Sequence, residues 1–228
     1  MFNKLDASHY NNSALFYDKN FELILSKITL CYTLLKLKNP ILENKENKIR
    51  DMILLNYLKN NEVRKKLDLT NWQFDREVPE DTTVGRVDIR VISFDTFEIQ
   101  EAYYIIECKR LDNVNTDGDT GLNAEYIKEG ISRFTTKYYA SYYRVNGMIG
   151  FIVEKMNIHL NTNKINKLLK KFGKPITNEY LTKSDFIDSF DYQYCSTHLD
   201  DDSEELKIYH LMFEFSNNIA VKIKTASS

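Results

Sequence analysis

Cysteine, proline and glycine are all scarce in this chain of 228 residues, with three, three and seven copies. Cys31, Cys108 and Cys195 are far apart and odd in number, and they form no CxxC pair. Neither a disulfide framework nor a zinc–thiolate site follows, and a reducing cytoplasm is the expected home. So little glycine and proline beside 15 Tyr and 13 Phe excludes a disordered or low-complexity chain. Long hydrophobic runs are missing too. Apolar stretches are broken within a few residues by Lys, Glu or Asp, and none approaches the roughly 18 residues of a membrane span. The opening MFNKLDASHYNNS has no basic stretch leading into an apolar one, so no secretory signal is expected. An excess of either charge is absent: 31 basic against 33 acidic residues leave a net charge of -2. Contact with nucleic acid would have to rest on a local basic patch. There is no Walker loop, no GxSxG and no dinucleotide-binding glycine pattern. The four histidines, His9, His159, His198 and His210, are too dispersed for an HNH-like or HxxxH site.

What is present is an ordinary globular balance, 43% apolar and 28% charged, in a length that suits one domain. Residues 14–38 carry apolar positions at spacings of three and four, which predicts an amphipathic helix, with Asp18 marking a potential break. Asn39-Pro40 ends it. A second helix is predicted over 42–59 on the stripe Ile49, Ile53 and Tyr57, and a short third over 62–67. Strands follow at 73–78, 85–93 and 101–110, with a turn at 79–83 and a hairpin connection at 94–98. In GRVDIRVIS, Val87, Ile89 and Val91 alternate with Arg86, Asp88 and Arg90. After the polar loop NVNTDGDTGLN come a long helix over 122–143, a buried strand over 147–154, a basic helix over 158–172 and two late strands at 192–198 and 207–215. The expected fold class is α/β, with a central mixed sheet flanked by helices.

The strand YYIIECK poses the chemical question. Four β-formers run into Glu107 and Lys109, which point the same way because they are two residues apart. If the two central strands are neighbours, Asp88 converges on the same patch. Two carboxylates suit a hard cation such as Mg²⁺, and an ammonium beside it can hold a water as nucleophile. The plainer reading is a surface Glu107–Lys109 pair on a strand that has left the core.

GRVDIRV followed by YYIIECKR resembles the PD-(D/E)xK nuclease superfamily, the restriction-endonuclease-like fold. The resemblance covers residues 43–155 and implies an αβββαβ core. Residues 1–42 would then be an N-terminal helical extension, and 156–228 a C-terminal helix and strands completing the same domain. It implies Asp88 and Glu107 as ligands of Mg²⁺, with Mn²⁺ able to substitute, and Lys109 as the residue that positions the attacking water. A further carboxylate from the helix before the first strand would be Glu46, with Glu43 as the fallback. The proline that the family places before its aspartate is Val87 here. The implied activity is metal-dependent cleavage of DNA, in restriction or anti-phage defence, by a homodimer or with a companion defence subunit. RNA or branched DNA as substrate, and a non-catalytic subunit that keeps the fold to bind nucleic acid or a partner, are the competing readings.

Four residues are further candidates for substrate contact. Tyr126 and Arg133 lie on the helix that the family packs against its site, and Arg133 could meet a phosphate. Lys164 and Lys167 lie on the basic helix and could track a phosphate backbone, although such a stripe is more often a wet face. Gly130 in mid-helix suggests close packing. The acidic run DDDSEE at 200–205 reads as a solvated turn.

Overall fold

The computed structural model describes residues 13–79, 85–139 and 141–220. The opening segment with His9, most of the turn expected at 79–83, and residues 221–228 lie outside them. Helix α1, Ser13–Lys38, is continuous through Asp18. Helix α2 starts later than expected, at Glu46, and runs to Ile53 before loosening into a π-helical turn over Leu54–Leu58. Leu42 instead forms an isolated bridge with Ile219. The short α3 covers Asn61–Lys66 and is capped by the Asn60 side chain, which accepts from the backbone of Glu62 and Val63.

Seven strands make one sheet: β1 (Gln73–Pro79), β2 (Arg86–Ile92), β3 (Tyr103–Leu111), β4 (Val145–Ile152), β5 (Thr177–Lys183), β6 (Gln193–Leu199) and β7 (Glu205–Glu214). Their spatial order is β1-β2-β3-β4-β7-β6-β5. The centre, β3-β4-β7, is parallel and both flanks are antiparallel. All eight residues of β4 are buried, as a parallel strand covered on both faces requires.

Helices cover both faces. Phe21, Ile24, Leu25, Ile28 and Leu35 of α1, with Ile49 and Ile53 of α2, pack on Tyr104, Ile106, Cys108, Ile149, Leu211 and Phe213. The opposite face carries α4 (Leu122–Tyr126), a π-helical turn (Ile127–Ile131), α5 (Ser132–Thr135) and α6 (Ile158–Phe172). Tyr126, Ile131, Phe134, Ile165 and Leu168 pack there on Ile105, Met148, Ile152 and Ile208.

Two expectations need correction. The helix expected over 122–143 stops at Thr135. The Thr135 and Thr136 hydroxyls both donate back to the Ser132 carbonyl, the Asp201 N–H caps the Thr135 carbonyl at 3.0 Å, and Lys137 is left-handed at φ 54°. Strand β5, TNEYLTK, was not expected at all. It is an edge strand with only Leu181 buried, so it has no apolar alternation to read.

Val87, Ile89 and Val91 also do not share one face. Ile89 and Val91 join the α1–α2 side, while Val87 joins the α4–α6 side. Glu77, level with Asp88 between the pairs Arg76↔Ile89 and Val78↔Val87, takes a left-handed φ of 47° and breaks the ladder there.

Candidate active site

The geometry starts from two backbone donors. Strand β2 pairs with β3 only as far as Ile89↔Ile106. Beyond that point the N–H groups of Cys108 and Arg110 have no carbonyl of β2 to meet, and buried donors need partners. Carboxylates supply them. Asp88 Oδ2 accepts from Cys108 N–H at 2.9 Å, and Glu46 Oε2, from the first turn of α2, accepts from Arg110 N–H at 3.0 Å. The same two hydrogen bonds that finish the strand thus draw two acids to its end.

Glu107 and Lys109 project between them. Glu107 is fully buried and Lys109 is 7% exposed, which rules out the plain surface pair. Lys109 Nζ donates to Glu107 Oε1 at 2.6 Å and stands 3.4 Å from Glu46 Oε1. Arg133 Nη1 also donates to Glu107 Oε1, at 2.7 Å, and the Tyr139 hydroxyl donates to Glu107 Oε2 at 2.5 Å. Burial, helped by the charge of Asp88, pushes Glu107 up to about 7 against the pull of Lys109 and Arg133. Burial pulls Lys109 down, but Glu107 and Glu46 outweigh it, so its pKa ends above that of an ordinary lysine.

Gly130 sets how closely the helix approaches. A Cβ there would lie 2.4 Å from Met148 Cε and 3.6 Å from Lys109 Cγ, so the bare residue lets the π-helical turn rest on β3 and β4.

The structure therefore brings Asp88, Glu107, Lys109, Glu46 and Arg133 together. Glu43 is apart from them, paired with Lys45 at 3.0 Å. Tyr126 is fully buried, with its hydroxyl 2.9 Å from His210 Nδ1, so it has no surface to offer a substrate. Lys164 is tied to Thr116 Oγ1 at 2.6 Å and Asp117 at 2.9 Å, in the loop between β3 and α4. Lys167 is exposed on the same helix, and the acid it faces is Asp117 of that loop.

Three neighbours escaped sequence reasoning. Arg50 lies one helical turn after Glu46, next to the apolar stripe and only 4% exposed. A charge beside Ile49 was its one signal. Glu77 reveals itself only through its backbone. Nothing in KYYA separates Tyr139 from Tyr138.

Do these residues fit a divalent metal? Their chemical kind does, since hard cations take carboxylate oxygen. Their arrangement does not. Every oxygen of the three carboxylates already accepts from a donor of the chain: Asp88 Oδ1 from Arg50 Nη1 at 2.8 Å, Glu107 from Lys109, Arg133 and Tyr139, and Glu46 from Lys109 and Arg110. Among the described residues, no group of three or more acidic, histidine or cysteine side chains stands ready to hold an ion. Asp88 is paired with Arg50, Glu107 with Lys109 and Arg133, and Glu46 with Lys109. No helix among the described residues is long and apolar enough to cross a membrane. No family model, curated protein or solved structure matches the chain.

Proposed function

We propose that this chain is a PD-(D/E)xK-type nuclease that hydrolyses DNA phosphodiester bonds with Mg²⁺, or Mn²⁺ in its place. One observation carries the reading: Lys109 Nζ stands between Glu107 and Glu46, while Asp88 hangs on the backbone N–H of the residue between Glu107 and Lys109. Charged groups are buried this way at a cost, which a purely structural strand end has no reason to bear. The element order α2, β1, β2, β3, α4–α5, β4 supports it as well, because it is the αβββαβ order of that superfamily.

On this reading Lys109, held as an ammonium, orients the attacking water as a hydrogen-bond donor. It is not the base. Arg133, a quarter exposed beside Glu107, is the cation placed to meet a phosphate oxygen. Arg86, 60% exposed at the start of β2, offers a second.

The test is nicking of supercoiled plasmid in Mg²⁺, Mn²⁺ or EDTA, by wild type and by Lys109→Ala. The expected outcome is metal-dependent nicking that falls by about a hundredfold or more in the variant. RNA and branched DNA in the same assay decide the substrate. Equal nicking by both proteins would remove Lys109 from the chemistry.

A second reading has its own observation. A fully buried Glu107 and a set of carboxylates with no oxygen free also suit a chain that keeps the fold to bind nucleic acid or a partner subunit. Tight binding with no turnover under any divalent metal would favour it.

A further inference from the structure

Helix α1 is apolar on two faces, and the sheet covers only one of them. Phe21, Ile24, Leu25, Ile28 and Leu35 belong to the core. On the other side Phe16, Leu23, Leu30 and Leu37 are all exposed, Leu30 by 46% and Leu37 by 78%. They stand seven residues apart, so they form one stripe along a helix of 26 residues, about 39 Å long. Ile41, just past the helix, is exposed as well. A helix that is apolar all round is ordinarily a buried one. Yet α1 is not apolar enough to cross a membrane. An uncovered row of Leu and Phe of this length marks a contact surface, unlike apolar residues scattered singly.

Smaller side chains alternate with the large ones. Ser26 and Thr33 come three residues after Leu23 and Leu30, on the same side of the helix. Beside them runs a groove of about 590 Å³, walled by Glu22, Ser26, Leu30 and Thr33 and, across from these, by residues 186–190. A leucine next to a serine or threonine is a ridge beside a hollow. A second helix with the same alternation, run the other way, fits its ridges into those hollows.

We propose that this stripe is the interface with a second copy of the chain, the two α1 helices packing antiparallel about a two-fold axis level with residue 28. In that register Leu30 lies over Ser26 of the second copy, Leu23 over Thr33 and Leu37 over Lys19, and Phe16 reaches the Pro40-Ile41 end. A shift of seven residues would carry Leu37 beyond Ser13, where the helix begins. Charge favours the antiparallel sense. The first half of α1 carries Asp18 and Glu22 beside one cation, Lys19, and the last turn carries Lys36 and Lys38. Antiparallel packing brings the acidic half to the basic turn of the second copy and opposes the two helix dipoles. Parallel packing would set Lys36 and Lys38 against themselves. Lys27, near the middle, meets its own copy in either sense.

Sedimentation velocity over a dilution series tests this, with thermal melts to show that each variant is folded. Wild type is expected to be a dimer that dissociates on dilution. Leu30→Asp puts a carboxylate beside the axis twice per dimer and is expected to raise the dissociation constant about a hundredfold or more. Position 37 reads the register. It is well exposed, so the fold tolerates a charge there, and in the proposed dimer it meets Lys19. Leu37→Lys is therefore expected to weaken the dimer about tenfold or more, and Leu37→Glu to keep or tighten it. Lys19→Glu added to Leu37→Lys is expected to restore it. Equal weakening by Leu37→Lys and Leu37→Glu would mean a parallel pair or another register, and overturns the proposal. A wild type that is monomeric at every concentration overturns it, as does a dimer indifferent to Leu30→Asp. A monomer that sediments with lipid vesicles would assign the stripe to a membrane surface instead, and the dimer falls. Should Leu30→Asp fail to fold, the two charges at position 37 decide alone. Mass and cleavage are separate readouts, so a monomeric chain that nicks plasmid removes the dimer and leaves the nuclease reading standing.

Discussion

Glu107 and Lys109 are two residues apart, yet removing one is not like removing the other. Glu107 accepts from Lys109, Arg133 and Tyr139 with no exposure of its own. Truncating it strands two cations around an empty space, and breaking a buried pair in that way costs about 3–5 kcal/mol. Lys109→Ala leaves Glu107 with Arg133 and Tyr139, so its carboxylate stays paired. Urea unfolding should therefore show Glu107→Ala strongly destabilised and Lys109→Ala much less so. Equal midpoints for the two would mean that the cluster carries no such coupling. The isosteric Glu107→Gln is the proper partner to Lys109→Ala in an activity assay, because loss of activity in Glu107→Ala would be confounded with loss of fold.

Between elements, a second buried polar network lies away from the site. Under α4 and α6, the Tyr126 hydroxyl lies 2.9 Å from His210 Nδ1, and His210 Nε2 and His198 Nε2 each lie 2.8 Å from Ser196 Oγ. His198 Nδ1 lies 3.0 Å from Thr177 Oγ1, which in turn donates to the Pro175 carbonyl. One direction of donation satisfies every atom: Tyr126 to His210, His210 to Ser196, Ser196 to His198, His198 to Thr177. It requires both histidines to be neutral. Burial pushes His198 down to about 4 and His210 further below its ordinary value. In the unfolded chain both take protons near pH 6.5. The unfolded state thus binds two more protons at these sites as pH falls below that value, and stability drops. Glu107 opposes this with one proton between about 7 and 4.5, since its folded value is the raised one. The net is one extra proton in the unfolded state, or on the order of 1 kcal/mol lost per pH unit from about 6.5 to 4.5. Melting temperatures should fall across that window, and His198→Gln with His210→Gln should reverse the slope, because the Glu107 proton alone is left. A flat wild-type profile would contradict neutral buried histidines.

This relay was not legible in the sequence, because His198 and His210 are brought together by the pairing of β6 with β7 and not by spacing. Helix α6 was legible to the residue, since its 3.6-residue pattern ends at Gly173, which takes the left-handed φ of 65° that such a cap needs. The ends of α2 and α5 were not, because π-helical turns and hydroxyl back-bonding decide them and leave no periodic signal. At the site, Glu107 and Lys109 stood out because charges at the end of an apolar β-run are costly, and Asp88 because it lies on the polar face of the alternating strand before them. Arg50 and Tyr139 did not, because their roles depend on where neighbouring elements place them.

At the scale of the whole molecule, the stretch that carries the site is not the stretch that makes it stable. Residues 43–155 hold α2, β1 to β4 and α4–α5, with every carboxylate discussed at the site. But β4 is hydrogen-bonded along its other edge to β7, over Val145↔Lys207 through Ile152↔Glu214. Without residues 156–228 that edge is bare on a strand buried at all eight positions. Without α1, the face formed by Tyr104, Ile106 and Ile149 loses Phe21, Ile24, Leu25 and Ile28. Each large side chain left uncovered forfeits roughly 1.5–3 kcal/mol, so four of them alone match the 5–15 kcal/mol that holds an ordinary domain folded. A fragment of residues 43–155 should therefore show no cooperative melt and poorly dispersed amide resonances, whereas the full chain melts in one transition. A sharp melt of that fragment would mean that α1 and the β5-β6-β7 flank are additions to a self-sufficient core. If the fragment fails to fold, the flank is part of what holds the end of β3 in place. Substitutions at the β4–β7 seam, far from Lys109 in sequence, should then loosen the Glu107–Lys109–Arg133 cluster as surely as changes beside it.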